Sequence, residues 1–501
     1  MGVLQDVREV LLGTVEKAMQ GDSEAVGWVV VAFLSLCIVV VLALSQEPSR
    51  KGAKVLPPLY SEGLPLIGNA LAFAKAPLDM VTRGNNLLGD CFTINMANKR
   101  FTFLLSPSAH EVSLLSKDSD VDVREIYRFT VPVFGPGVVY DADLDERYFQ
   151  FKMLGSGLRI SKLKGYVPHM VNECESFFAK WGNEGEVDLF DELARLILMT
   201  ASRCLLGPEV REEMFEEAAE LIHILDQGMQ VLSLFAPNLP TSAHRKRDQA
   251  RKDLQKLFQK VIEKRRETGT VGDDLLQIFM QARRADGSAC DDYTIVGLLI
   301  AAIFGGQHTS SITSTWIGLH LVREKDILCR VMEEQEKVLQ GQDGKLNYDA
   351  LMQMDLLHRV MKEVLRMHPP LIFLMRQVEN ERTYKGMSIP KGDYLFMSPA
   401  VTGRSPSLWA KPNEFDPDRF AEPRVEDKKA RLTFMGFGGG RHSCMGEQFA
   451  FLQVKAIWSV LLRDFNLEPV GEMNVPNYEA LVVGPKGPAT IRYKRKVHRA
   501  H

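Results

Sequence analysis

Residues 434–448, FMGFGGGRHSCMGEQ, constrain this chain more than any other stretch. A loop rich in glycine (Gly436, Gly438, Gly439, Gly440) ends on Cys444, and an apolar helical pattern follows at once (Phe449, Leu452, Val454, Ile457, Trp458, Val460, Leu461). The glycines let the backbone turn tightly and come close to something flat and bulky. A helix starting just past Cys444 aims its free amides and dipole at the sulfur, which favours the thiolate, the form that binds metal. Arg441 and His442 stand just upstream, placed to neutralise carboxylates on the same bulky group. An isolated cysteine at a helix start is ordinarily an inert buried thiol. The glycines and cations crowded around this one argue for a ligand.

A second stretch supports that reading. Residues 292–324 form one long helical pattern, about 50 Å if unbroken. Gly305 and Gly306 fall in its middle, where each costs about 1 kcal/mol against alanine. A purely structural helix rarely accepts such a pair; close approach by a ligand, or a kink, explains it. Thr309 lies four residues on, its hydroxyl on the same face as Gly305.

Phe437-x-x-Gly440-x-His442-x-Cys444-x-Gly446 resembles the haem-binding signature of the cytochrome P450 superfamily, with His442 where most members carry arginine. Which of Arg441 and His442 meets a haem propionate is therefore open. The run from Phe304 to Ser310, FGGQHTS, resembles the oxygen-activation segment of the same enzymes. Its Gln307-His308-Thr309 wording is that of the sterol 14α-demethylases. The resemblance implies that Thr309 donates to bound oxygen while His308 relays protons from solvent. Glu363 and Arg366, spaced i, i+3, and Arg419 in NEFDPDRF resemble the superfamily's Glu-x-x-Arg and meander motifs, implying a triad that holds the core without doing chemistry.

Residues 127–141, YRFTVPVFGPGVVYD, scatter aromatics and glycines without period and so read as a packed loop. They resemble the loop over the substrate in the sterol 14α-demethylases. There Tyr127 and Tyr140 match residues that bond haem propionates, and Phe129 and Phe134 match residues of the sterol cavity. Family members with phenylalanine at the Phe129 position tend to act on sterols bearing one methyl at carbon 4, as in plants. A bulky ring colliding with a second methyl would discriminate by about 1–3 kcal/mol. By the same resemblance Arg376 meets a propionate, while Phe304, Ile372, Phe373, Met375 and Val482 face the substrate. In the helix after Tyr140 the family's basic residue is not obvious, and Arg147, Gln150 and Lys152 are all candidates for it.

The rest of the chain fits an anchored enzyme. Residues 26–44 are uncharged and long enough to cross a bilayer core of about 30 Å. The stretch before them is mostly acidic and the basic flank (Arg50, Lys51, Lys54) comes after, which points to an uncleaved anchor with the body in the cytosol. The expected organisation is a lumenal tail over 1–25, an anchor over 26–44, a proline-rich linker over 45–68 containing the PLIGN hinge, and a haem-thiolate domain over 69–501. The expected fold is mainly α with small β-sheets (α+β), including a hairpin around Asn98. Seven scattered cysteines and a net charge of −3 argue against a disulfide scaffold and a nucleic-acid binder. Arg245, Lys246, Arg247, Arg251 and Lys252 form a basic patch, expected as a solvated helix face or a contact to membrane or redox partner.

The resemblance implies haem b as cofactor, and electrons from NADPH through a separate reductase, since no dinucleotide fingerprint appears. It also implies three oxidations of a sterol's 14α-methyl that release formate, azole-type inhibitors as ligands, and residence in the endoplasmic reticulum membrane. Two rivals stand beside it: another P450 hydroxylation, of a fatty acid for example, and a non-catalytic haem- or sterol-binding protein.

Overall fold

The computed structural model describes residues 54–63, 68–96, 99–230, 233–234 and 236–497. The expected anchor, most of the PLIGN hinge and the tip of the hairpin lie outside the described residues. Eight helices position the site: α1 (Leu144–Gly157), α2 (Ile160–Phe178), α3 (Leu189–Ala201), α4 (Phe215–Gln227), α5 (Ser242–Thr268), α6 (Asp292–Leu321), α7 (Asp355–Met367) and α8 (Glu447–Asp464).

Two of these run through the centre, and their sequences say why. Helix α6 is apolar on every side, the pattern of a helix surrounded by protein. Asp291 caps it by accepting the Thr294 amide at 2.9 Å. Among the described residues it is the one helix long and apolar enough to cross a membrane, yet most of it is buried inside the protein. Helix α8 is likewise buried all round from Phe451 to Leu462. Trp458 joins the two, its indole N–H donating to Ser314 at 2.9 Å. Helix α7 shows the opposite pattern, with one polar face and one buried face that carries Glu363 and Arg366.

A five-stranded sheet flanks the helices. In chain order its strands are β1 (Cys91–Met96), β2 (Lys99–Leu104), β3 (Val121–Asp122), β4 (Leu374–Val378) and β5 (Tyr394–Met397), and in space they run β1-β2-β5-β4-β3. The expected hairpin is β1 with β2, antiparallel, Phe92 opposite Phe103. Strand β4 pairs antiparallel with β5, Arg376 opposite Leu395. A smaller sheet joins Glu184–Asp188, Thr490–Arg495 and Phe465–Pro469. The loop expected over 127–141 is partly helical: short turns at Arg128–Thr130 and Val139–Asp141 flank a helix at Val131–Phe134. Near Val482 an isolated antiparallel bridge joins Pro476 and Pro485.

Candidate functional site

The glycine loop closes on itself, the Cys444 amide donating to the Phe437 carbonyl at 2.9 Å. Gly440 sits at φ +69°, and a Cβ there would come within 1.9 Å of the Leu114 carbonyl oxygen, so only glycine fits. Helix α8 begins three residues after Cys444, as its sequence predicts. Burial pushes the Cys444 thiol up, while the amides of Gly446 and Glu447 donate toward the sulfur and pull it back. Cys444 opens onto an internal chamber, so its thiol is accessible there while surrounded by protein. A metal cation bound there would reverse the balance and hold the sulfur as thiolate.

The chamber encloses about 450 Å³, within the range of small-molecule sites. Its opposite wall is α6, through Ala302, Gly305, Gly306, Thr309 and Thr313. A Cβ built on Gly305 or Gly306 would meet nothing within 4 Å, so the two glycines leave open space facing the chamber. The Thr309 hydroxyl donates to the Gly305 carbonyl at 2.8 Å. His308 does not line the chamber; its Nε2 lies 2.9 Å from Asp226 on α4.

One edge of the chamber is built to receive negative charge. Tyr127 and Tyr140 both line it, their rings stacked 4.3 Å apart, and neither phenol has a hydrogen-bond partner among the described residues. Arg376 is only 5% exposed, and among the described residues its guanidinium donates just to the carbonyl of its neighbour Met375, at 2.7 Å. A buried guanidinium this poorly paired calls for an anion. Arg441 lines the same edge and is exposed. His442 lines it too, but its Nε2 is engaged by Asp118, whose other oxygen accepts from the Tyr148 hydroxyl at 2.6 Å. Asp118 favours the imidazolium, yet burial outweighs it and holds His442 below its usual range; the same contacts hold Asp118 low. Of the two side chains, Arg441 is therefore the freer to meet a carboxylate. A single sulfur ligand, an open glycine wall facing it and a cationic edge together fit haem, and they define a haem-thiolate class of site.

Several expected positions lie elsewhere. Ile372, Phe373 and Met375 are absent from the lining, and Leu371 and Leu374 take their place. For Met375 strand geometry is the reason: residues i and i+2 share a face, so Arg376 and Leu374 point into the chamber and Met375 packs on the far side with Phe373. Ile372 lies before the strand begins and lines a separate small pocket with Trp316, Tyr478 and Val483. Phe129 stands beside the chamber, its ring 6.1 Å from that of Tyr127. Phe304 sits behind Phe134, edge-to-face at 6.3 Å, because the chamber-facing positions of α6 fall on the next face round. Val482 packs against the core instead of the chamber, while its neighbour Val483 donates to the Pro370 carbonyl at 2.8 Å. Phe134 does line the chamber.

None of Arg147, Gln150 and Lys152 lines it. The buried Arg147 bonds Asp122 and the Tyr140 and Ala142 carbonyls, Gln150 bonds the Val139 amide, and Lys152 is exposed. The basic patch also divides. Arg247 and Arg251 turn inward and are buried, leaving Arg245, Lys246 and Lys252 exposed.

Below the chamber, Glu363 accepts from Arg366 at 2.7 Å and from Arg419 at 2.9 Å, all three side chains fully buried. Glu426 joins them at 3.1 Å from Arg419. Asp226, Asp118 and Glu426 carry no motif of their own in the sequence. Only contact across the fold assigns them a place. Leu374 was findable, because the strand period ties it to Arg376.

The sequence profile of the family "Cytochrome P450" matches residues 57–492. A sterol 14-demethylase of Arabidopsis thaliana is 44% identical over 95% of this chain and 99% of its own length. An obtusifoliol 14-alpha demethylase of Triticum aestivum is 44% identical over 88% of this chain and 98% of its own, and a lanosterol 14-alpha demethylase of Homo sapiens is 35% identical over 99% and 98%. The solved structure of a retinoic-acid-bound cyanobacterial CYP120A1 superposes with a TM-score of 0.79 at 23% identity, covering 89% of this chain and all of that one, a likeness of fold alone. The chain belongs to the cytochrome P450 superfamily and, within it, to the sterol 14α-demethylase family.

Proposed function

We propose that this protein removes the 14α-methyl group of a sterol in three successive oxidations, releasing formate and leaving a Δ14 double bond. One observation carries the reading. An apolar chamber holds a lone cysteine on one wall and an open pair of glycines with a threonine hydroxyl on the other. Haem bound there supplies the activation of dioxygen. The chain's own residues then have separable tasks. Cys444 gives the thiolate ligand. Arg376, Arg441, Tyr127 and Tyr140 hold the carboxylate edge, with His442 fixed beside them by Asp118. Phe134, Leu154, Leu205, Leu371 and Leu374 exclude water and orient the sterol.

Thr309 delivers a proton at the open face of α6, giving up its bond to the Gly305 carbonyl to do so. The His308–Asp226 pair links that face of α6 to α4 and the surface, which suits proton relay. Glu363, Arg366 and Arg419 hold the core beneath Cys444.

A sterol with one methyl at carbon 4 is the favoured substrate, as the relatives named obtusifoliol demethylases support. Phe129 contributes by packing against Tyr127, since it does not line the chamber itself. Electrons come from a separate NADPH-dependent reductase, and azole-type inhibitors enter the same chamber. Residues 26–44 anchor the protein in the endoplasmic reticulum membrane, between a lumenal tail over 1–25 and a linker over 45–68, with the domain from 69 onward in the cytosol. The test is a reconstituted reaction with reductase and NADPH, competing obtusifoliol, lanosterol and a fatty acid. Formate and the Δ14 sterol, formed faster from obtusifoliol, are expected. A hydroxylated fatty acid as the main product, or sterol binding without turnover, would overturn the reading.

A further inference from the structure

The expected surface patch on α5 turns two arginines, Arg247 and Arg251, into the interior, and the surroundings of the second are unusual. Arg251 is 7% exposed. Its Nη2 donates to the Phe134 carbonyl at 3.0 Å, its Nη1 to Gln255 at 2.9 Å, and its guanidinium lies 5.1 Å above the Tyr293 ring. Its Nε is buried without a partner. The carboxylates nearest in sequence on α5 are engaged elsewhere: Asp248 pairs with Arg247, and Asp253 with Lys256 and Gln249. Among the described residues, only neutral acceptors hold Arg251.

The carbonyl it holds ends the helix Val131–Phe134, the element that presents the Phe134 ring to the chamber. Gly135 follows at φ +109°, and a Cβ there would come within 2.5 Å of the Tyr293 hydroxyl and 3.0 Å of Arg251 Nη2. The chain therefore turns directly beneath the guanidinium, between α5 and the start of α6. We propose that Arg251 is a positioning residue that latches α5 to the Phe134 turn, setting how far Phe134 projects over the substrate and letting go when this turn, the roof of the chamber, opens to admit it. A buried cation held only by neutral acceptors regains hydration when the joint opens, which offsets much of the bonding it loses. A carboxylate partner would make the closed state far harder to leave. The lowered Arg251 pKa, caused by burial, reports the same uncompensated desolvation.

The idea that a sterol passes beneath this roof rests on the proposed function; the latch itself does not. The test is amide hydrogen exchange over residues 131–138 in the full-length haem-loaded protein without sterol, followed by sterol titration. Arg251→Met should speed exchange in that segment about tenfold, the factor expected from losing one charge-assisted hydrogen bond, and weaken obtusifoliol binding with haem content unchanged. Arg251→Lys, which keeps the charge and protects the fold, should show an intermediate rise of about threefold, since ammonium cannot reproduce the fork. Lys252→Met, on the exposed side of α5, should match the parent. Exchange within about twofold of the parent in both Arg251 variants would overturn the latch. If the parent binds neither obtusifoliol nor lanosterol, the substrate reading falls while the exchange result still decides the latch.

Discussion

Replacing Glu363 by alanine is the sharpest test of what holds the site together. The Glu363 carboxylate accepts four hydrogen bonds: from Arg366 Nε at 2.7 Å, Arg366 Nη2 at 2.7 Å, Arg419 Nε at 2.9 Å and the Asp416 amide at 2.8 Å. Its removal leaves two buried guanidinium groups. Arg419 keeps Glu426 at 3.1 Å, but Arg366 keeps no carboxylate among the described residues, just the carbonyls of Gly403, Pro412 and Glu414 and the Trp409 ring at 5.4 Å. Breaking a buried pair by deleting one partner costs about 3–5 kcal/mol. That is a large share of the roughly 5–15 kcal/mol that holds a domain folded.

The control has the same spacing. Lys411 and Glu414 also form an i, i+3 pair, at 3.1 Å, but their side chains are 75% and 62% exposed. Such a pair contributes about 0–1 kcal/mol, so Lys411→Ala should change little. The assay is guanidinium unfolding followed by tryptophan fluorescence, comparing midpoints at unchanged slope, with haem content measured in parallel. Loss of less than about 1 kcal/mol in Glu363→Ala would refute the claim that burial, more than spacing, sets the strength of these pairs.

Three further outcomes are expected. Cys444→Ala should abolish the carbon-monoxide absorption of the reduced protein typical of thiolate ligation; its persistence would place the ligand elsewhere. Thr309→Ala should bind sterol as the parent does while diverting reducing equivalents to peroxide, read as NADPH consumed per formate released; fully coupled turnover would contradict the role given to that hydroxyl. Acid should destabilise the protein through His110, buried between Leu432 and Thr402 and pushed down to about 4 by burial. An unfolded histidine takes its proton near 6.5, so this contribution is complete above that pH and is lost as the pH falls toward 4. The slope is about 1.4 kcal/mol per pH unit for each such group. His110→Gln should flatten the fall in unfolding midpoint between pH 6.5 and 4, and an unchanged slope would remove His110 from the account.

The parts of this protein legible before folding are those whose meaning is local. Cys444 takes its chemistry from the glycines and amides within a few residues of it. The paired Gly305 and Gly306 mark a gap because helix geometry puts Thr309 over the same face. The β1–β2 hairpin and the salt-bridge spacing of Glu363 and Arg366 follow from periods of two and about 3.6. Even one misplacement was decidable locally, since Met375 and Arg376 are adjacent in a strand and cannot face the same way.

Contacts between distant segments belong to the tertiary structure alone. Asp226 meets His308 from α4, Asp118 ties down His442 and leaves Arg441 free, and Glu426 completes the buried charge cluster. The same holds for Arg251, which composition places on the surface and the fold turns beneath Phe134. A charged side chain carries no mark in the sequence of whether water or protein will surround it. That depends on which helix packs over it, and the energy of every ion pair here changes with the answer.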